Sequence, residues 1–458
     1  MSRQLFGTDG VRGVAGEFLT AELALSLARA AVRLAGERGP EGRGPHARPQ
    51  VLIVRDTRES GEMLEAAMAA GITAAGGDAL LAGVLPTPAA PLLLRRHDLQ
   101  LAAVISASHN PYEDNGIKLF AADGFKLDDD TELAIEAAML AADPNGARSP
   151  APIGRVRTLH GALEDYLREL HTHFAHLELA GRRVLLDCAN GATYRAAPEI
   201  FRRLGAEVTV LADTPDGRNI NAGCGSTHVD ALAAAMAADR YDIGFAFDGD
   251  GDRMLAVDAD GTVVDGDELI ALAALHLQRT GGLHGGGVAV TVMTNYGFHT
   301  AMAAAQIEVA TTAVGDRYVL DELRRRGWRL GGEQSGHILD LGFGPSGDGV
   351  ASALLTMEAL GGGDLRERHA MEKLPQKLVN IRAADRSHLS AAMAAEPVQS
   401  AISAASAELT GRGRVLVRAS GTEPLVRVMV EAPTLAETDA LCARLAAVVE
   451  ATLAAPLA

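Results

Sequence analysis

Short apolar runs recur along the chain, each closed by a polar turn and followed by an Ala/Leu-rich stretch with helical spacing. Val51-Leu52-Ile53-Val54, Leu101–Ile105, Arg183–Asp187, Ile243–Phe247 and Val288–Val292 read as buried strands. Thr20 is placed to cap a helix whose Leu23, Leu27, Ala30 and Leu34 share one face. A Gly/Pro/Arg loop over 36–49 precedes the first of these strands, and the turn-rich stretch 143–152 reads as a linker. Strands alternating with helices predict α/β domains. Two units of this kind are expected after the linker, one opening at Arg183 and one running from about Asp258 to the Gly361-Gly362-Gly363 break. The end of the chain differs. Arg414–Arg418, a polar turn, Leu425–Glu431 and a terminal helix predict a compact α+β unit.

With 458 residues the chain is long enough for three or four domains, at about 100–200 residues each. A hydrophobic fraction of 48% supplies their cores and argues against disorder. Lys+Arg 42 against Asp+Glu 59 leaves a net charge of −17, which repels nucleic acid and anionic lipid. Neither nucleic acid nor membrane is therefore an expected partner, and an anionic substrate needs a local basic site. Cys188, Cys224 and Cys442 are far apart and form no CxxC, so a disulfide framework or thiolate metal site is not expected. The start lacks the apolar segment of a signal peptide, and no apolar run approaches the ~18 residues of a membrane span. These features predict a soluble, cytoplasmic protein. Lysine is scarce: Lys118, Lys126, Lys373 and Lys377 are the only four.

The sharpest chemical feature is Asp248-Gly249-Asp250-Gly251-Asp252-Arg253, directly after an apolar strand. In an extended loop the three aspartates point the same way, so their oxygens can converge on a hard cation such as Mg²⁺. An EF-hand fails here, because Arg253 and Ala259 stand where its Gly and Glu belong. Ser106-Ala107-Ser108-His109-Asn110-Pro111 closes the strand Leu101–Ile105, the end at which ligands gather in open α/β sheets. Either serine could serve as a nucleophile, and an Asn-Pro turn with backbone-bonded hydroxyls would look the same. No G-x-S-x-G occurs, which disfavours a serine hydrolase. Lys118 follows shortly after. Gly331–His337 offers hydroxyl-binding groups in Glu333 and Ser335 and a titratable one in His337. Arg418, Ser420, Gly421, Thr422 and Arg427 can form a phosphate cradle, and a Walker A loop is absent. Together these four features describe phosphoryl transfer on a phosphorylated sugar.

The same residues make the chain resemble the α-D-phosphohexomutase superfamily, and within it the amino-sugar branch. The resemblance runs from Phe6–Gly13 through Ser108–Pro111, Asp248–Arg253 and Glu333–His337 to Arg418–Pro424. Asp187–Ala192, Asn219–Thr227 and Val314–Tyr318 extend it, and Ser346 replaces an expected Thr while keeping the hydroxyl. It implies three related α/β domains with mixed sheets plus a C-terminal α+β domain around a central cleft. Their boundaries would be 1–152, 153–254, 255–370 and 371–458. The resemblance also implies Ser108 as a phosphoserine nucleophile, with its phosphate joining Asp248, Asp250 and Asp252 on Mg²⁺. Arg418, Ser420, Gly421, Thr422 and Arg427 would hold the other phosphate. Glu333 and Ser335 would read ring hydroxyls, Lys118 and His337 would be acid/base groups, and Arg12 and Arg253 would stabilise charge. The implied reaction interconverts glucosamine 6-phosphate and glucosamine 1-phosphate through a bisphosphorylated sugar, which also primes the enzyme, and feeds UDP-N-acetylglucosamine and peptidoglycan synthesis. Alternatives are a phosphomannomutase/phosphoglucomutase or a non-catalytic phosphosugar-binding protein. The sequence carries no signature of oligomeric state.

Overall fold

The computed structural model describes residues 5–7, 9–38, 48–141, 153–420 and 424–454. The linker expected at 143–152 lies outside these residues, as does most of the loop at 36–49. The chain forms two compact units, Met1–Val292 with Ala310–Arg368, and Met293–Val309 with His369–Ala458.

The first unit carries three sheets. In spatial order, the first contains Val11–Val14, Asp114–Ala121, Leu101–Ile105, Gln50–Arg55, Asp78–Val84 and Val156–Thr158. Asp114–Ala121 pairs antiparallel with the strand on either side of it, and the remaining neighbours pair in parallel. Leu101–Ile105 is buried at every residue, as a strand covered on both faces must be. The second sheet runs Val263–Val264, Met254–Asp258, Ile243–Phe247, Arg183–Asp187 and Glu207–Leu211. The third runs Glu308–Thr312, Gly287–Thr291, Leu330–Gly332 and Ile338–Asp340. All three sheets mix parallel and antiparallel pairs or end in an antiparallel edge.

Thr20 accepts a hydrogen bond from Leu23 N at 3.2 Å at the start of the helix Ala21–Arg38, as the sequence predicts. The buried face is shifted: Leu27 and Ala30 are covered as expected, together with Ala24, Ala28 and Ala31, while Leu23 and Leu34 pack only partly buried against the same core. The cause is a close neighbour. Gly71 of the helix Ser60–Ala74 approaches so tightly that a Cβ there would lie 2.3 Å from Leu25 O. At that separation only small side chains fit between the helices.

In the second unit Gln376–Arg382 and Arg414–Ala419 flank Leu425–Glu431 in an antiparallel sheet. The helix Leu435–Ala454 supplies Leu441, Cys442, Leu445 and Val449 to its core. The short helix Tyr296–Ala304 also belongs to this unit although a strand of the third sheet precedes it. Asn295 bonds the backbone of Leu374 in both directions at 3.0 Å, and Tyr296 N donates to Glu431 Oε2 at 2.8 Å.

Candidate active site

The turn after Leu101–Ile105 separates its two serines by geometry. Ser106 is fully buried and donates its hydroxyl to Asp56 Oδ2 at 2.5 Å, while its Oγ accepts from Ser108 N at 2.9 Å. Ser108 has a φ of +53°, a left-handed conformation that costs a non-glycine residue on the order of 1 kcal/mol or more. Two side chains hold it there. Arg58, itself fully buried and paired with Asp56 at 2.9 Å, donates to the carbonyls of Ser108 and Asn110 at 2.9 Å and to that of Pro111. Asn221 donates to the carbonyls of Ser108 and Asn110 at 2.9 and 3.0 Å. The result directs Ser108 Oγ to Asp248 Oδ2, 2.5 Å away.

Asp248 follows the buried strand Ile243–Phe247, and the glycines after it set the loop's path. A Cβ on Gly249 would lie 2.5 Å from Ser108 O, and Gly251 has a φ of +71°. Asp248, Asp250 and Asp252 are 1%, 1% and 6% exposed, with one oxygen from each lying within 4.8 Å of the others. Asp250 Oδ2 accepts from Thr87 Oγ1 at 2.7 Å and Lys118 Nζ at 2.9 Å. Asp250 Oδ1 is buried with no hydrogen-bond partner, and Asp252 Oδ1 has only His337 Nδ1 at 3.5 Å and Arg253 Nε at 3.8 Å. Burial, then the charges of Asp252 and Asp250, push the Asp248 carboxyl well above the ordinary carboxylate range. Three clustered carboxylates with unsatisfied oxygens and no nitrogen or sulfur donor fit a hard divalent cation.

Lys118 is 1% exposed, with Nζ 2.9 Å from Asp250, 3.2 Å from Asp9 and 3.5 Å from Asp252. Burial opposes its charge, but those three carboxylates outweigh it and hold the ammonium protonated. His337 is buried between Asp252 at 3.5 Å and Asp316 at 3.7 Å. Burial again works against the cation, while Asp252 and Asp316 raise its pKa. His337 lines a cleft of about 600 Å³ together with Arg12, Arg253, Glu333 and the segment Val314–Tyr318. Glu333 Oε1 accepts from Gly315 N at 2.9 Å, so it is held at the cleft wall. Ser335 stands exposed at the tip of the same loop.

In the second unit, Arg418 and Arg427 sit directly opposite each other on antiparallel strands. Like charges so placed are destabilising unless an anion joins them. Neither pairs with a carboxylate among the described residues, and Arg427 Nε is buried without a hydrogen-bond partner. Ser420 N donates to Leu425 O at 2.8 Å, closing the end of the hairpin. Gly421 and Thr422 lie outside the described residues.

Sequence reasoning missed Arg58, Thr87, Asn221, Asp9 and Asp316, which contact predicted site residues or their carbonyls, and Lys126, which joins Asp9 to Asp316. The scarcity of lysine was the one signal available for Lys126; an arginine among 42 basic residues carries none. Asp348 was also missed. It caps the helix Gly349–Leu360, receives Tyr166 Oη on both carboxylate oxygens at 2.9 and 3.0 Å, and precedes Gly349, whose N–H holds Gly251 O at 2.9 Å. Burial lifts its carboxyl to about 6. Because that lies above the unfolded value of about 3.9, its contribution to stability is complete below pH ~4 and is lost as pH rises through ~6. Asp348→Asn keeps the cap and the tyrosine contact. It should flatten this slope in denaturant melts between pH 4 and 7, removing up to about 3 kcal/mol of pH dependence; an unchanged slope would exclude Asp348 as its source.

Models of phosphoglucomutase/phosphomannomutase α/β/α domains I, II and III match residues 3–145, 164–261 and 265–378, and the C-terminal domain model matches 378–448. A phosphoglucosamine mutase of Moorella thermoacetica is 50% identical over 96% of this chain and 98% of its own length. Another from Frankia alni is 50% identical over 99% of both chains. Among solved structures, a phosphoglucomutase/phosphomannomutase family protein from Burkholderia thailandensis shares the fold with a TM-score of 0.80 at 23% identity, over 99% of this chain and 98% of that one. The chain belongs to the phosphoglucomutase/phosphomannomutase family of α-D-phosphohexomutases, and within it to the phosphoglucosamine mutases.

Proposed function

We propose that the chain interconverts glucosamine 6-phosphate and glucosamine 1-phosphate, with Ser108 as the phosphorylated nucleophile and a bisphosphorylated sugar as intermediate and primer. The observation that carries this reading is Ser108 Oγ held 2.5 Å from Asp248 within a buried triad of carboxylates. The relatives above, similar over nearly the whole chain, are phosphoglucosamine mutases.

In the forward half-reaction the bond from phosphorus to Ser108 Oγ breaks and one to a sugar hydroxyl forms. After the bisphosphate turns around, the other phosphoryl group returns to Ser108. Asp248, Asp250 and Asp252 would hold Mg²⁺ beside Ser108, where it would supply positive charge to the transferring phosphoryl oxygens. Lys118, with Nζ 2.9 Å from Asp250, adds a cation beside the triad and is the candidate acid/base group on that side of the site. His337, whose buried Nε2 has no hydrogen-bond partner, is placed in the cleft to move a proton at that atom. Arg12 and Arg253 line the same cleft and stabilise phosphoryl charge. Glu333 and Ser335 bind ring hydroxyls in either orientation. Arg418, Ser420, Gly421, Thr422 and Arg427 hold the phosphate that is not reacting.

The test is kcat/KM for the 6-phosphates of glucosamine, glucose and mannose, with a hexose bisphosphate primer and Mg²⁺. Glucosamine 6-phosphate should be preferred by at least about tenfold, roughly 1.4 kcal/mol in transition-state binding. Preference for a neutral sugar would reassign the chain to phosphoglucomutase or phosphomannomutase activity. Absence of turnover with all three would point to a binding protein.

A further inference from the structure

Lys126 is one of only four lysines, and no step above uses it. Its Nζ donates to Asp9 Oδ1 at 2.5 Å and to Asp316 Oδ2 at 2.6 Å. These carboxylates come from distant parts of the chain, one from the turn before Val11–Val14 and one from the first residue of the helix Asp316–Arg326. Each carboxylate leads onward. Asp9 Oδ2 lies 3.2 Å from Lys118, and Asp316 Oδ2 lies 3.7 Å from His337. Lys118 and His337 meet in turn at Asp252, each 3.5 Å from it. Lys118, Asp9, Lys126, Asp316, His337 and Asp252 thus close a ring of alternating charge. Lys126 is the one member that neither touches the triad nor lines the cleft.

Asp316 is also next to Gly315, whose N–H fixes Glu333. Without the ammonium, the Asp9 and Asp316 carboxylates would face each other as like charges in a largely buried space, and the segment carrying Asp316 would move away. A compact ammonium with three rotatable donors can satisfy two carboxylates from unrelated directions. Arg317 adds a second tie from the same segment, pairing with Asp129.

We propose that Lys126 is a positioning residue, an internal latch that fixes Asp316 against the Asp9 turn and so sets Glu333 and His337 at the cleft wall before substrate binds. The proposal rests on the reading of this cleft as a phosphosugar site. Lys126→Met should raise KM for glucosamine 6-phosphate by about tenfold or more. The Mg²⁺ concentration for half-activation should stay within about twofold, because the triad is untouched, and Lys126→Arg should recover part of the loss. Asp316→Asn should raise KM similarly, and the double variant should be no worse than the poorer single one, since both break one linkage. Lys377→Met, which removes only an exposed pair with Asp439, serves as the control and should leave KM unchanged.

Unchanged KM in Lys126→Met, or additive effects in the double variant, overturns the latch. Should Lys126→Met not fold, Asp316→Asn carries the same test, and an unchanged KM there overturns it equally. Calorimetric binding of glucosamine 6-phosphate is measured in parallel. If the wild type binds the sugar but does not turn it over, the functional reading fails, while the Kd ratio between wild type and Lys126→Met still decides the latch.

Discussion

Ser108→Ala should lose at least about 10⁴-fold in kcat for glucosamine 6-phosphate while keeping its fold and its response to Mg²⁺. The reaction has no route around its nucleophile, because the protein must donate a phosphoryl group before the sugar bisphosphate turns and take the other one back afterwards. The informative partner is Ser106→Ala. Ser106 is the more deeply bound of the two, donating to Asp56 and accepting from Ser108 N. Its removal leaves a buried carboxylate oxygen short of a hydrogen bond, a cost of about 1–3 kcal/mol in denaturant melts. Ser106→Ala should still carry phosphate on Ser108 in peptide mapping after incubation with a hexose bisphosphate. Phosphate missing from Ser108 in Ser106→Ala, or full turnover by Ser108→Ala, would remove Ser108 from the mechanism.

The second large effect concerns the metal site. Asp248→Asn should lower kcat by about 10²-fold or more, because a carboxylate ligand becomes a neutral amide. Stability should respond in the opposite sense when metal is absent. The Asp248 carboxyl is pushed up by burial and by its two neighbours. Its stabilising contribution is therefore present at acid pH, below the unfolded carboxylate value, and lost as pH rises through the folded one. At neutral pH with chelator the asparagine variant escapes that penalty; its Oδ1 still accepts from Arg253 N, and its amide N–H can donate to Ser108 Oγ in place of the bond that the carboxylate accepts. It should be at least as stable as the wild type there. Mg²⁺ at 100 times its Kd should add about 2.7 kcal/mol to the wild type and almost nothing to the variant at the same concentration. Equal Mg²⁺ stabilisation of both proteins would place the cation elsewhere.

Strands were the most legible part of the fold. Leu101–Ile105, Arg183–Asp187, Ile243–Phe247 and Leu425–Glu431 begin and end where the apolar runs do. Those runs are bounded by residues that leave the sheet for a physical reason, as Ser106 does when its turn begins. Gln50–Arg55 is longer than its apolar run by one residue at each end, because ladder pairing continues past the buried side chains. Helix faces were less legible: Ala24, Ala28 and Ala31 join Leu27 and Ala30 in the buried face, while Leu23 and Leu34 lie at its partly covered edge. The segment Met293–Val309 was equally opaque, since its place is fixed by Asn295 and Tyr296 bonding residues more than seventy positions away.

The sequence by itself determined the class of chemistry. An Asp-Gly-Asp-Gly-Asp loop brings three oxygens together through local backbone geometry alone, and no distant residue is needed to see that it wants a cation. Two serines at i and i+2 share one face of an extended chain, so local geometry could not choose between them. In the folded chain Arg58 and Asn221 hold Ser108 at positive φ, so that its Oγ meets Asp248 while the Ser106 hydroxyl meets Asp56. The charge state of Lys118 and the partners of Lys126 belong to the same category. Each depends on carboxylates brought within 3.5 Å from separate stretches of chain, and Coulomb interactions at that range follow distance in space rather than position in sequence.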